Sequence, residues 1–462
     1  MAITEATREL MGKQGPPSAT RDLCGMGAAA SAAAIRSGDI TSEQLVEACL
    51  NRVSERENVV RAWTHLDPAY ALAQARAADR MRAAGKSQGA LHGVPVGVKD
   101  IFDTADMPTE YGSVLYAGRQ PNEDAMVVSL LRRAGAVIMG KTEIPEFASS
   151  GPVKTANPLD LKRTPGGSSS GSAAAVADRM VPLAIGSQTT GSIIRPASYC
   201  GIYGYKPTYG SISRYGALHL SRRLDHVGLL ARSLEDIALV ADQLMEFDPR
   251  DPDMRPELGL SLLESFSQKP SATPHLAFVR TPVWDQADED ARSAYENFVK
   301  RMGKIVEEVE LPPTFDQAVE CHATIYDADI AERFTEEYEH GSARISAYFR
   351  GRLEKGRRIL ATDYIRALQL ADNFNQVLKG IFERYEAILT PAAPSEAPLG
   401  PDATGRAIFS MIWTLCGTPT VTVPVLECGR KMPLGVQVVG RQTTDGRLLR
   451  TARWLVDFVQ AC

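Results

Sequence analysis

Two serines and one lysine lie in segments whose residue types suit nucleophilic catalysis. Ser168 lies in a glycine- and serine-rich stretch at residues 165–172, and Ser192 ends a turn of small residues at 189–192. A serine hydroxyl is a poor nucleophile until a base removes its proton, and no histidine is placed to act on either serine. A lysine is a base only in its neutral form. Lys99, which follows an apolar run, is therefore the candidate base.

The stretch at residues 165–172 also has a simple structural interpretation. A glycine-serine segment ahead of an alanine-rich helix is typical of a linker or a helix cap. The serine turn at residues 189–192 and the lysine at position 99 favour the catalytic interpretation, because each adds a group that the chemistry needs.

Three further motifs match a known pattern but lack its context. Residues 135–142 read G-x-x-x-x-G-K-T, the phosphate-loop pattern, yet a helical stretch precedes them and the residues between the glycines are apolar, which favours a strand. Residues 167–171 read G-x-S-x-G with Ser169 at the centre, but residues 163–166 supply no strand leading into a nucleophile elbow. Residues 25–30 weakly match a dinucleotide fingerprint, and the start of an alanine-rich helix explains them better.

The order of motifs along the chain resembles the amidase signature family from about residue 32 to the C-terminus. Any one motif is weak, and the specificity of the resemblance lies in their order. The matching segments are residues 91–100, 140–143, 165–172, 201–208, 224–228, 417–419 and 433–440. The resemblance implies an α/β fold, a single α/β/α domain around a large mixed β-sheet.

The resemblance also implies the roles of the candidate catalytic residues. Ser192 would be the nucleophile, Ser168 a proton relay and Lys99 the base, with a cis peptide bond between Gly167 and Ser168. An oxyanion hole, a set of N–H donors for the developing negative charge, would stabilise the transition state. Its expected members are the backbone N–H groups of Thr189, Thr190, Gly191 and Ser192. No metal and no organic cofactor is required.

Five positions depart from the family's usual pattern. Gln188 stands in place of an Asp, Thr190 in place of a Gly, and Arg195 lies one position later than expected. Leu229 replaces a proline, and Thr414 occupies a position where Asn is common. Because Ser192 keeps its register, these changes concern the hydrogen bonds around the nucleophile and the width of the pocket.

The function that follows is an amidohydrolase, an enzyme that cleaves a carbonyl C–N bond through a serine acyl-enzyme. Amides, aryl amides and carbamates (urethanes) all remain open as substrates. One alternative is the A subunit of a tRNA-dependent amidotransferase complex, and we favour the stand-alone hydrolase because Gln188 and Thr190 depart within the catalytic turn. A catalytically inactive scaffold with the same fold is an alternative of another class.

Composition sets the expected partners and compartment. The 462 residues carry a formal net charge of -5, which gives no electrostatic footprint for nucleic acid or an anionic membrane. We therefore expect a small-molecule amide or carbamate substrate, no nucleic acid, no membrane, and a monomer or homodimer. Seven cysteines without a C-x-x-C pair, and an N-terminus at residues 1–20 without an apolar core, favour the cytoplasm.

The pattern of elements predicts one domain over residues 1–462. Helices are expected at 28–58, with a break at Gly38 and a second start at Thr41, where Thr41 and Gln44 resemble a capping box. A further helix is expected at 68–84, followed by a signature core of short strands at about 91–232. A charged, variable helical region at about 268–385 would form a pocket wall. Strands and a last helix at about 386–462 would complete the core.

Three side-chain expectations accompany this interpretation. Asp100 should turn away from Lys99, because neighbouring residues of a strand face opposite sides. Cys200, close to Ser192, should be a packing residue and not a nucleophile. Some aromatic or apolar side chains could line a pocket, although core packing explains most of them better: Phe102, Tyr111, Tyr199, Tyr203 and Trp413.

Overall fold

The N-terminal helices form where the sequence places them. The computed structural model describes residues 22–254, 261–402 and 404–461. The segment at residues 1–20, which the sequence analysis predicted to lack an apolar core, lies outside the described residues. Helix α1 (Ala28–Ser37) ends at Gly38, whose φ of 84° is a left-handed conformation that glycine adopts without strain. Helix α2 (Ser42–Val60) begins with a capping box between Thr41 and Gln44, as predicted.

The strands form one continuous mixed sheet of eleven members within the described residues. They are β1 (Trp63–Leu66), β2 (Pro95–Lys99), β3 (Val137–Thr142), β4 (Leu183–Gln188), β5 (Tyr203–Lys206), β6 (His226–Ala231), β7 (Leu276–Phe278), β8 (Val306–Glu308), β9 (Ala387–Pro391), β10 (Thr420–Cys428) and β11 (Met432–Val439). Their spatial order is β1-β3-β2-β4-β6-β5-β10-β11-β9-β7-β8. Strands β3, β2 and β4 are parallel to one another, whereas β4 pairs antiparallel with β6.

The remaining helices lie between and after the strands. They are α3 (Pro68–Ala83), α4 (Met126–Arg133), α5 (Ser170–Ala177), α6 (Ile194–Cys200), α7 (Leu234–Leu244), α8 (Leu262–Ser267), α9 (Glu289–Met302), α10 (Ala318–Arg333), α11 (Thr335–Gly341), α12 (Ala347–Gly356), α13 (Ala361–Arg384), α14 (Ile408–Leu415) and α15 (Asp445–Ala461). None of the described helices is both long enough and apolar enough to cross a membrane.

The sheet separates two hydrophobic cores. In β4, Leu183 and Ile185 point into one core, while Ala184 between them points into the other. The same alternation occurs in β6, where Leu229 and Leu230 belong to opposite cores. Period-two alternation places successive side chains on opposite faces, so helices must cover both sides of the sheet. The fold is the α/β/α architecture that the sequence predicted.

The region predicted as a helical wall, residues 268–385, is not helical throughout. It contains strands β7 and β8, which pair in parallel and extend the sheet beyond β9. Both strands span only three residues, too short a run for an alternating pattern to emerge from the sequence. The division into core, wall and C-terminal part stays a prediction.

Two glycines let the segment carrying Ser192 lie close against the sheet. Gly186 of β4 pairs with Gly228 of β6. A Cβ at Gly186 would lie 2.8 Å from Cδ1 of Ile193, the residue after Ser192, and one at Gly228 would lie 2.6 Å from Cγ1 of the same side chain. Neither contact is tolerable for a real side chain, so both positions require glycine.

Candidate active site

Lys99 ends strand β2 in the interior of the protein. Its side chain is fully buried. Its side-chain nitrogen Nζ donates to Ser168 Oγ at 2.9 Å and to Ser187 Oγ at 2.8 Å. The lysine and the first of the two predicted serines are therefore in direct hydrogen-bond contact.

The surroundings of Lys99 favour a neutral amine. Burial lowers its pKa well below the ordinary value, because the charged form loses its hydration. The Asp225 carboxylate opposes this shift, and the Arg195 guanidinium adds to it. A lysine in its neutral form is a base rather than a fixed charge.

Ser168 and Ser192 lie just before two helices, α5 and α6, that contact each other. Ser168 precedes α5, follows a cis peptide bond from Gly167 as predicted, and is 2% exposed. Ser192 lies in the turn between β4 and α6 and is 8% exposed. Among the described residues no hydrogen bond joins the two hydroxyls, so the second link of the relay stays a prediction.

The turn at residues 189–192 offers free backbone donors. The N–H groups of the four expected donors, Thr189, Thr190, Gly191 and Ser192, have no acceptor within the described part of the chain. Thr189 is anchored through its side chain, which donates to Asp225 at 2.6 Å. Free N–H groups next to a serine can stabilise an oxyanion, the function expected of this turn.

Gln188 holds the segment that follows the turn. Its side-chain oxygen accepts from the N–H groups of Ile193 and Ile194 at 2.9 and 3.1 Å, and its nitrogen donates to Thr414 Oγ1 at 2.9 Å. Thr414 Oγ1 lies 2.8 Å from the Thr190 carbonyl oxygen. Two of the departures from the family pattern, Gln188 and Thr414, are thus direct neighbours beside the nucleophile.

Arg195 is buried without a carboxylate partner among the described residues. Its guanidinium donates to the carbonyl oxygens of Gly405 and Gly167 and to Thr404 Oγ1. Burial lowers its pKa to about 10. Through these hydrogen bonds the arginine ties the loop that carries Ser168 to the segment at residues 404–405.

Asp100 turns away from Lys99, as predicted. Its carboxylate lies 3.5 Å from the Lys141 ammonium, and burial raises its pKa to about 6. Lys141 also donates to the Phe102 carbonyl oxygen and to Thr109 Oγ1. The lysine of the apparent phosphate loop is therefore a buried structural cation, on a strand rather than in a loop.

The serine at the centre of the apparent nucleophile-elbow motif is also enclosed. Ser169 is fully buried, and its hydroxyl contacts the backbone N–H and carbonyl of Ser187 at 3.3 Å each. No strand precedes it, which confirms that residues 167–171 are not a nucleophile elbow. The Gly25 segment is a short helical turn followed by α1, as expected.

The aromatic side chains considered for a pocket mostly belong to the core. Those almost fully buried within the larger hydrophobic core are Phe102, Tyr111, Tyr199 and Trp413, whereas Tyr203 is half-buried against it. Sequence reasoning assigned no role to Ser187 or Asp225, although both contact the site. The sequence offered one signal for Ser187: it lies next to Gln188 in the strand that leads into the turn carrying Ser192.

Comparisons with known proteins extend over almost the whole chain. A family model described as Amidase matches residues 44–449. The A subunit of a glutamyl-tRNA(Gln) amidotransferase from Chloroflexus aurantiacus is 34% identical over 465 residues, covering 91% of this chain and 94% of the relative. This name is that of the alternative function considered above, the A subunit of a tRNA-dependent amidotransferase. The comparisons support that alternative better than the stand-alone hydrolase.

Solved structures agree on the architecture. A structure described as a vestigial protein complex, revealing the origins of an s-triazine catabolic enzyme, matches at 28% identity with a TM-score of 0.87, covering 94% and 98% of the two chains. The native peptide amidase from Stenotrophomonas maltophilia matches at 26% identity with a TM-score of 0.79, covering 94% and 97%.

The relatives correct the predicted partners. We expected a small-molecule amide or carbamate alone, no nucleic acid, no membrane, and a monomer or homodimer. The Chloroflexus relative is named as one subunit of an enzyme for glutamyl-tRNA(Gln), a name that implies further subunits and a tRNA for that protein. The prediction is therefore wrong. Net charge failed as a guide because one subunit of a complex can act next to a nucleic acid without contacting it.

Proposed function

The chain belongs to the amidase signature family of hydrolases, which act on C–N bonds, and from that premise we propose that it hydrolyses a carboxamide through an ester on Ser192. We propose further that it does so as the amide-hydrolysing subunit of an amidotransferase. The observation that carries the chemistry is the fully buried Lys99, 2.9 Å from Ser168 Oγ. What distinguishes Lys99 from the other buried lysines is its direct contact with Ser168, the hydroxyl proposed to relay the proton.

In the acylation step, Ser192 Oγ attacks the carbonyl carbon of the amide. The proton of Ser192 passes to Ser168, and the proton of Ser168 passes to the neutral Lys99. The free N–H groups of the turn, those of Thr189, Thr190, Gly191 and Ser192, stabilise the oxyanion of the tetrahedral intermediate. The intermediate collapses with cleavage of the C–N bond, and the leaving nitrogen takes a proton back along the same relay.

In the deacylation step, water attacks the ester on Ser192. The relay through Ser168 and Lys99 removes the proton of the water and returns it to Ser192 Oγ as the ester bond breaks. The carboxylic acid leaves, and Lys99 is neutral again. The nucleophile, the relay and the base are thereby restored for the next turnover.

The partnered role rests on the relatives and on the chemistry of nitrogen transfer. An amidotransferase needs a source of ammonia, and hydrolysis of a primary carboxamide supplies it. The curated relative that carries this role matches the chain over 91% of its length. The natural substrate is then a primary carboxamide such as the side chain of glutamine.

Two measurements test this function. Ammonia release by the purified wild type and by Ser192→Ala is compared for L-glutamine, L-asparagine, benzamide and phenyl carbamate. The chain is also tagged at its own chromosomal locus, and copurifying proteins are identified by mass spectrometry. We expect ammonia release from L-glutamine or L-asparagine that depends on Ser192, together with stoichiometric amidotransferase subunits.

The outcomes separate the alternatives. Fast hydrolysis of benzamide or phenyl carbamate by a chain that purifies alone would overturn the amidotransferase role and favour a stand-alone amidase or carbamate hydrolase. Neither hydrolysis nor covalent labelling by a sulfonyl fluoride, in a correctly folded and fully assembled protein, would leave the inactive scaffold and overturn the proposal entirely.

A further inference from the structure

His322 of helix α10 contacts the turn that carries Ser192. The side chain is 1% exposed, and its ring nitrogen Nε2 lies 2.9 Å from the carbonyl oxygen of Thr189. A carbonyl oxygen only accepts hydrogen bonds, so Nε2 carries the proton and donates it. The other ring nitrogen, Nδ1, is buried and has no partner among the described residues.

The ring is neutral in this setting. Burial, with a smaller contribution from the Arg352 guanidinium, lowers the pKa of His322 to about 4. The Thr189 carbonyl opposes that shift by accepting the Nε2 proton. Because Nε2 keeps its proton in the hydrogen bond to Thr189, His322 is not available there as a base for Ser192. Its role must lie in the bond that it makes.

Peptide geometry gives that bond a consequence. In a planar trans peptide the carbonyl oxygen and the next N–H point in opposite directions. The Thr189–Thr190 bond is trans, because the only cis bond within the described residues joins Gly167 to Ser168. Holding the Thr189 oxygen against α10 therefore turns the Thr190 N–H away from that helix, and this N–H has no acceptor within the described chain.

The next peptide is held in the same way from another helix. Thr414 Oγ1 of α14 lies 2.8 Å from the Thr190 carbonyl oxygen, which orients the N–H of Gly191. Two consecutive donors are thus aimed by side chains that bind the carbonyl oxygens of their own peptide units. One of these two side chains, His322, comes from residues 268–385, the region predicted only as a variable helical wall.

We propose that His322 is a positioning residue of the oxyanion hole: its Nε2–H holds the Thr189–Thr190 peptide so that the Thr190 N–H faces the substrate carbonyl oxygen. This inference rests on the proposed function and deepens it. His322 touches neither the substrate nor the reacting atoms, and it moves no proton. It acts by keeping one donor aligned before the transition state forms.

The test compares two amide side chains at this position. In His322→Gln the side-chain nitrogen reaches the place of Nε2 and donates to Thr189, whereas in His322→Asn it reaches only the place of Nδ1. Cys321→Ala is the matched control, because Cys321 is a buried neighbour on the same helix. The readouts are kcat and KM for L-glutamine or benzamide, and the rate at which a fluorophosphonate labels Ser192.

We expect His322→Asn to lower kcat and the labelling rate roughly 10-fold to 100-fold with little change in KM, since one lost oxyanion donor costs about 100-fold to 1000-fold. His322→Gln and Cys321→Ala should stay close to wild type. Equal losses in the Gln and Asn variants, or no loss in a folded Asn variant, would overturn the inference and leave His322 as packing. Wild type that fails to label at Ser192 would instead overturn the proposed function.

Discussion

Gln188 donates a side-chain hydrogen bond to Thr414 at 2.9 Å, joining two residues that both depart from the family's usual pattern. The Thr414 hydroxyl has a single proton, and the carbonyl oxygens of Thr190 and Ser410 lie 2.8 and 2.9 Å away. Because Gln188 supplies its own proton to this contact, the Thr414 proton stays available for the backbone. The two departures therefore compensate each other.

The substitution Gln188→Asp should impair catalysis, and adding Thr414→Asn should restore it. A carboxylate only accepts, so the single proton of Thr414 could no longer serve both the new carboxylate and the Thr190 carbonyl oxygen. An Asn at position 414 has two N–H donors, enough for both. We expect a loss of kcat/KM of at least about 10-fold in the single variant, in line with the coupling measured between contacting residues. A double variant no better than the single one would contradict the compensation.

The pH dependence of hydrolysis should report Lys99. The neutral amine is the active form, so kcat/KM should rise with pH along one ionisation and reach a plateau on the alkaline side. Because burial lowers the pKa of Lys99, the rise should occur at a pH below the ordinary pKa of lysine. Lys99→Ala and Lys99→Met, the latter of similar volume, should lose most of the rate and the ionisation. Retention of both the rate and the pH profile would assign the base to another residue.

A second buried lysine should make stability depend on pH. Burial lowers the pKa of Lys206 to about 7 against the opposing Asp445, whereas an unfolded lysine has a pKa of about 10.4. Between these values the unfolded state binds more protons, so the free energy of unfolding rises with pH. Relative to Lys206→Met, wild type should gain on the order of 1 kcal/mol per pH unit from pH 7 to 10.

Urea unfolding at several pH values measures the Lys206 effect. Lys379→Met serves as the control, because Lys379 is exposed and its loss should leave the slope unchanged. Parallel pH profiles for wild type and Lys206→Met would show that Lys206 is not neutral in the folded protein.

Cys200→Ala should retain most activity. Cys200 is 2% exposed, burial raises its pKa, and its thiol donates to the Pro165 carbonyl oxygen at 3.4 Å. A buried thiol with a raised pKa is a packing group, since the thiolate is the nucleophile. Thiol-specific inactivation that disappears in Cys200→Ala, with activity lost in step, would indicate cysteine chemistry instead.

Sequence patterns predicted the parts of the fold that follow from local rules. The capping box at Thr41, the helix break at Gly38 and a strand in the apolar run at residues 136–139 all depend on neighbours in the chain. Each of them is present, the strand as Val137–Thr142. Strands β7 and β8 were missed because three-residue segments carry no period and gain their pairing only from β9.

The sequence predicted the contact between Lys99 and Ser168 but not the contacts that support the turn at residues 189–192. Lys99 and Ser168 meet as the resemblance implied, and Asp100 turns to Lys141 as strand alternation required. The contacts of Gln188 with Thr414 and of His322 with Thr189 join residues far apart in the chain. No spacing rule links a helix of the variable region to a turn of the core, so those supports needed the three-dimensional structure.

The most direct test is to locate the covalent bond. Wild type, Lys99→Met and Ser192→Ala are treated with a fluorophosphonate, and the modified residue is identified by fragment mass spectrometry. We expect one adduct, on Ser192, formed quickly in wild type, much more slowly in Lys99→Met and not at all in a folded, inactive Ser192→Ala. An adduct on Ser169 or Cys200, or undiminished amide hydrolysis by Ser192→Ala, would contradict the mechanism.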